Sequence, residues 1–263
     1  MFQPANLLRE ARRQKDLPDQ PVPAVCLLDP DGDIVRHLAA TSTGRRHPGW
    51  ACYHTDMWTT HLSTAHQTPG PADPDDPTNE LEIGVVGMAV GAPFAVLVAE
   101  QLAASGARLI ISITSAGQIR ALAPPPYFLL IQRAWRDEDT SAHYQPPATW
   151  SHLPAHLASQ LSGQVLAGTT ESILTGVSWT TDAPYRETAT AIGDATRAEV
   201  DCVEMEAAAL YAYAAATGRD VVCLAHVTNT MAAHGDDFDK GSANGATAAL
   251  AVTGAIARAL HHR

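Results

Sequence analysis

The apolar positions of this chain fall into short dense runs separated by stretches of helical spacing. Leu81–Met88 is an apolar run carrying Gly84 and Gly87, the pattern of a strand buried on both faces. Pro93–Ser105 has helical spacing; Pro93 suits a first turn, and Gly106 fits the end. Leu109–Thr114, LIISIT, is a second, β-branched strand. Strand, helix and strand in this order predict a right-handed parallel crossover. Extended segments are also predicted at Val22–Leu28, Trp50–Trp58, Tyr127–Ile131, Gln164–Thr169 and Asp220–Thr228. Helices are predicted at Pro184–Arg197, Glu206–Thr217 and about Ala243–Leu260. Between His66 and Asn79 the sequence HQTPGPADPDDPTN is too rich in proline and acid for a regular element and reads as an exposed loop. No internal repeat occurs. The pattern predicts an α/β fold, one domain over residues 1–263 with a central mixed β-sheet flanked by helices.

Composition narrows the classes of function. Hydrophobic residues are 46% and charged residues 17% of the 263, a globular balance. The formal net charge of -11 argues against a general nucleic-acid or anionic-membrane binder, though not against a few arginines focused on one small anion. The first residues are mixed in charge and lack a signal peptide's apolar stretch, and no run approaches the roughly 20 apolar residues of a membrane span. Cys26, Cys52, Cys202 and Cys223 are far apart with no CxxC pair, so a reducing cytoplasm is expected rather than a disulfide scaffold or zinc knuckle.

Several standard signatures fail on inspection. Gly84, Gly87 and Gly91 lack the spacing of a dinucleotide fingerprint, and no Walker A motif occurs. Asp29, Asp31 and Asp33 open like a calcium loop, but its twelfth position is Ala40 rather than a bidentate glutamate, so a solvated turn is the better reading. The 12 histidines include no HExxH, and no metal site is expected. Ser115 follows a strand, but a nucleophile elbow needs glycine where Ile113 stands. What remains is a set of polar residues at strand ends: Ser115 and Gly117, then Glu204-Met205-Glu206, then Thr228-Asn229. Each alone reads as a cap or turn residue, Glu206 for example as a first-turn carboxylate favoured by the helix dipole. Ligand sites of open α/β sheets gather at such strand ends.

In their order these segments resemble the nucleoside phosphorylase superfamily, particularly its uridine phosphorylase-like branch. The similar stretches are Gly-Ala-Pro at 91–93, ISITSAGQI at 111–119, RDEDTSAHYQPP at 136–147, WTTDAPYRET at 179–188, VEMEAAALYA at 203–212 and AHVTN at 225–229. The resemblance implies that Glu206 accepts hydrogen bonds from the ribose 2′- and 3′-hydroxyls and that Met205 packs on the sugar. Val203 and the Glu204 backbone would border the base, Trp179 would stack on it, and Ser115 and Gly117 would line the anion and sugar positions. Asn229 stands where purine-acting relatives carry an aspartate that protonates the leaving base. An amide offers hydrogen bonds but no acid proton, so a preference for oxo-bases such as uracil or hypoxanthine is expected.

The anion site departs from the family pattern. The phosphate loop is faintly echoed by LLDPDGDIVR, with Leu28 in the glycine's place and Arg36 displaced. The strand arginine is Ser112, whose hydroxyl cannot replace a bidentate guanidinium. Arg45 and Arg46 are candidates for the missing charge, within the chain or across a subunit boundary, and Lys240 is a candidate cation near base or anion. Three functions follow from the resemblance: phosphorolysis with inorganic phosphate as co-substrate, hydrolysis of the same bond by water, and nucleoside binding without catalysis. Phosphorolysis is placed first, because the rest of the pattern lies nearest the phosphorylases. A homo-oligomer is implied, with no metal and no organic cofactor.

Overall fold

The computed structural model describes residues 2–63, 80–161, 169–171, 173–230 and 238–261. The expected loop at 66–79 and most of the expected strand at 164–169 lie outside them. An N-terminal helix α1 (Pro4–Lys15) precedes β1 (Val25–Asp29), α2 (Asp33–Thr41), β2 (Arg45–Arg46), β3 (Met57–Ser63) and β4 (Glu80–Gly87). Then come α3 (Ala92–Ala104), β5 (Leu109–Gln118), β6 (Tyr127–Asp137), β7 (Trp150–His152), α4 (Ala155–Leu161) and β8 (Ile173–Thr181). The chain continues through α5 (Ala189–Arg197), β9 (Cys202–Glu204), α6 (Ala207–Thr217), β10 (Asp220–Asn229) and α7 (Ala246–His261).

The strands form one mixed sheet in the order β10-β6-β8-β9-β5-β1-β4-β3-β2, and β10 also pairs with β5, so β5, β10, β6, β8 and β9 close on themselves as a barrel. Closure removes the open edges at that side of the sheet. The β4–α3–β5 unit is parallel as expected, with β1 inserted between its two strands. β1 is buried at all five positions and β5 at nine of ten, which fits the apolar runs at Val25–Leu28 and Leu109–Ile111.

Helix α6 shows how the sequence selects its packing. Residues Ala207 to Ala214 are all buried, a helix apolar on every side, set between α3 and the sheet. Its alanines let backbones approach closely, and two tyrosines supply bulk. Tyr211 donates to the carbonyl of Ile131 on β6 at 2.5 Å and accepts from the N–H of Cys223 on β10 at 3.1 Å. These bonds fix the rotation of α6 against the barrel, and losing a buried partner of this kind costs about 1–3 kcal/mol.

Some boundaries differ from the sequence expectation. The segment from Trp50 is not extended: the indole N–H of Trp50 reaches Thr55 Oγ1 at 3.0 Å, folding the segment back, and pairing begins only at Met57. The expected helix at 184–197 is a 3-10 turn at Pro184–Arg186 followed by α5, whose N-cap Thr188 accepts from Ala191 N at 3.2 Å. Helices α1, α2 and α4 are additional to the expectation.

Candidate active site

Sheet register brings the distant segments together. Gly117, near the end of β5, pairs with Val203 of β9 on one side and with Asn229 of β10 on the other. Ser115 lies opposite His226, Trp179 opposite Val203, and Thr180 opposite Glu204. Thus Ser115, Gly117, Val203–Glu206 and Asn229 converge at one end of the barrel, as polar strand-end residues of α/β folds do.

The turn from β9 into α6 carries two buried glutamates. Glu204 Oε2 accepts from the backbone N–H groups of Glu206 and Ala207, at 2.7 and 2.8 Å, capping α6. Its Oε1 accepts from Ser178 Oγ at 3.1 Å and Thr180 Oγ1 at 2.5 Å. Glu206, 1% exposed, is differently supplied: Oε1 accepts from Gly91 N–H at 2.6 Å, and Oε2 is buried without a hydrogen-bond partner. Burial, then the charge of Glu204, pushes the Glu206 carboxyl up to about 8, with the Gly91 N–H and the Thr114 hydroxyl opposing. Gly91 aims its N–H from φ 84 and ψ 150, a conformation open in practice only to glycine. An unpartnered buried carboxylate oxygen is expensive, and such atoms mark places where a ligand's donors belong.

Beside this pair lies an ionic cluster. Asp31, at the turn from β1 to α2, accepts from the backbone N–H of Ser115 at 3.2 Å and also from the Ser115 hydroxyl. Lys240 donates to Asp31 at 3.1 Å and to Asp33 at 2.7 Å, and Arg36 donates to the other Asp33 oxygen at 2.7 Å. Asp29 is buried with Val35 N–H at 3.0 Å, and burial pushes its carboxyl up to about 6. His226 stacks on Phe128 with ring centroids 4.4 Å apart, and burial brings it down to about 4, so it is neutral near pH 7. A small cavity is lined by Asp29, Asp31, Asp33, Ser115 and His226. The Ser115 donors therefore face a carboxylate of the chain itself, in surroundings with more negative than positive charge.

The other expected residues are distributed as follows. Met205 is half-buried and Val203 is buried beside the site. Asn229 is buried, with Nδ2 3.3 Å from Thr228 Oγ1. Lys240 does stand beside the Ser115 position, held by two aspartates. Trp179 requires a correction. It is 3% exposed, gives its indole N–H to Asp137 at 2.9 Å, and packs in a cluster with Val203, Trp135 and Trp150. Both its polar handle and its faces are engaged in packing, so within the chain it offers no open stacking surface. Arg45 and Arg46 require another: they form the edge strand β2, exposed and paired with Glu82 and Asp56 at 3.0 and 2.9 Å. Within the chain they supply no charge to the Ser115 position. Sequence reading missed Asp31, taken only as a turn residue, and the Gly91 N–H. The acidic DPDGD turn at a strand end, facing a segment that has lost its arginine, was the available signal. All four cysteines are free and buried, and no metal-holding group of side chains occurs among the described residues. Nor is any helix among them long and apolar enough to cross a membrane.

The family model described as "Phosphorylase superfamily" matches residues 33–260, and the chain belongs to that family. The architecture is similar to purine nucleoside phosphorylase from Toxoplasma gondii in complex with immucillin-H, with a TM-score of 0.70, 14% identity, and 92% of each chain covered. It is similar to uridine phosphorylase from Vibrio fischeri ES114, with a TM-score of 0.67, 17% identity, and 95% of each chain covered. The same Vibrio enzyme complexed with 6-hydroxy-1-naphthoic acid gives 0.68 at 16% identity, covering 95% of this chain and 94% of that one. A search of the curated proteins finds none that matches. The shared fold is the single α/β domain with a barrel-closing mixed sheet and flanking helices.

Proposed function

We propose that the chain is an enzyme that cleaves the N-glycosidic bond of a nucleoside-type small molecule, with water as the acceptor. Family membership supports catalysis of the nucleoside-phosphorylase type. The observation that carries the choice of acceptor is Asp31, whose carboxylate takes both the N–H and the hydroxyl of Ser115. Those are donors that an anion would otherwise claim. A phosphate dianion there meets Asp31 and Asp33, whose counter-ions Lys240 and Arg36 are already engaged with them, and at 4 Å each unit charge pair is worth about 4 kcal/mol at an effective dielectric of 20. A water molecule meets a base.

In this reading Glu206 takes the vicinal hydroxyls of the sugar on its unpartnered Oε2 and its Gly91-bonded Oε1. Asp31 orients a water and accepts its proton as the water oxygen bonds to C1′. The C1′–N bond breaks with its electron pair on the base, and Asn229 hydrogen-bonds the negative charge developing there. The proton held by Asp31 finally balances the departing base, giving free base and free pentose. Because Asn229 offers no acid proton, oxo-bases of the uridine or inosine type are preferred; a kcat/KM for adenosine far above both would refute that preference. A second reading, phosphorolysis, is favoured by the family itself, and association into a homo-oligomer accompanies either reading. A panel of nucleosides incubated with and without phosphate separates them: base release unchanged by phosphate supports hydrolysis, and strict phosphate dependence supports phosphorolysis.

A further inference from the structure

Glu204 has no part in the reaction as drawn, yet it is fully furnished with donors. Two side-chain hydroxyls from β8 serve Oε1 and two backbone N–H groups from the start of α6 serve Oε2. A carboxylate with several such donors retains its charge even when buried. Glu206 has the Gly91 N–H on Oε1, the Thr114 hydroxyl as its one side-chain support and no partner on Oε2, and its own N–H is tied to Glu204. Two carboxyls share one buried turn, and the turn is built to stabilise the negative charge of only one of them. We infer that Glu204 is a positioning residue that holds Glu206 protonated in the free enzyme, and that a sugar diol, bringing two hydroxyl donors to Glu206, expels that proton. The inference rests on the reading of Glu206 as the sugar-binding carboxylate.

The groups facing Glu206 agree with this from each side. Glu204 on β9 and Asp31 on the β1–α2 turn oppose a further negative charge, and the Cys223 thiol on β10, itself neutral because burial pushes it up, adds no countercharge. The Gly91 N–H before α3 and the Thr114 hydroxyl on β5 favour the charge, and together they do not prevail over burial. Lys240, a cation of the neighbouring cluster, is already held by Asp31 and Asp33. Burial also raises Glu204, but its four donors oppose that rise, so the proton of the pair resides on Glu206. Binding to the ionised form then weakens about tenfold for each pH unit below 8, and each binding event near pH 7 releases close to one proton.

The test is calorimetry at pH 7 in two buffers of different ionisation enthalpy, with Kd also followed from pH 6 to 9. The probes are pseudouridine and formycin B, C-nucleosides whose carbon–carbon glycosidic bond resists cleavage. The parent is expected to release close to one proton per site and to show the tenfold slope. In E204Q, which removes the neighbouring charge and leaves the burial, release falls measurably below the parent's and the slope sets in at lower pH, a change that a merely structural role does not produce. If E204Q does not fold, Thr180→Val, which takes one donor from Glu204, is expected to lower the release partially. Parent binding with no net proton release and a flat Kd overturns the inference while leaving the nucleoside reading in place. So does full release persisting in folded E204Q or, where that variant does not fold, in Thr180→Val. Failure of both probes to bind removes the inference together with the reading it rests on.

Discussion

Exchanging Glu206 for glutamine keeps the shape of the side chain and its acceptor for Gly91 N–H while removing the charge. In the parent the carboxyl rises from an ordinary 4.5 in the unfolded chain to about 8 when folded. Below pH 4.5 both states hold the proton and nothing is lost. As pH rises from 4.5 to about 8 the unfolded chain releases its proton while the native protein does not, so stability declines across that window and levels off above it. At about 1.4 kcal/mol per pH unit the span bounds the decline at about 5 kcal/mol, and relaxation around the charged pair brings the expectation to about 2–3 kcal/mol. Glu206→Gln has no such window. Its thermal midpoint should match the parent's near pH 5 and exceed it by roughly 4–12 °C at pH 9, at about 2–4 °C per kcal/mol for a chain of this size. The opposite contribution of His226, whose lowered value makes acid unfavourable, is common to both proteins and cancels in the comparison. Melting curves at pH 5, 7 and 9 provide the assay. A difference between the two proteins that does not vary with pH, or one that favours the parent at pH 9, refutes the placement of an ionisable, under-supplied carboxyl in this turn.

Other consequences follow from the same geometry. Asp31→Asn should lower base release by about 10²–10⁴-fold with the fold intact, since an amide cannot accept the proton of water; activity within tenfold of the parent contradicts the base assignment. Trp179→Phe removes the indole bond to Asp137 and some buried area, so a loss of about 1–3 kcal/mol in denaturant titration with an unchanged KM is expected, whereas a stacking role raises KM instead. Arg45→Ala breaks an exposed pair with Glu82 and a long hydrogen bond to Thr59 Oγ1 and should change stability by less than about 1 kcal/mol, without altering any response to phosphate.

Much of the fold is readable in the order of residues because burial on both faces leaves a plain mark. The runs at 81–87, 109–114 and 220–228 are strands, and the alanine-rich stretch after Glu206 is a helix, since these positions sit in the closed barrel, against it, or inside the sheet that extends from it. The turn geometry was less readable. Trp50 appears as a strand residue until its indole is seen bonded to Thr55, and Thr188 divides a helical-looking stretch by capping its second part. At the site, the convergence of Ser115, Gly117, Val203–Glu206 and Asn229 followed from strand ends and the family resemblance. Trp179 illustrates the limit: periodicity does not tell an aromatic facing a ligand from one facing other tryptophans. Asp31 illustrates another, because its role depends on a contact across 84 residues, formed only when β1 and β5 pair.

In the proposed reaction, this carboxylate-lined site delivers water to the anomeric carbon. Turnover of a cleaved ribonucleoside in ¹⁸O-water, with phosphate also present, tests it most directly through mass analysis of the sugar product. Hydrolysis gives free pentose carrying one ¹⁸O at C1 from the first turnovers. Pentose 1-phosphate without the label, formed only when phosphate is supplied, contradicts it.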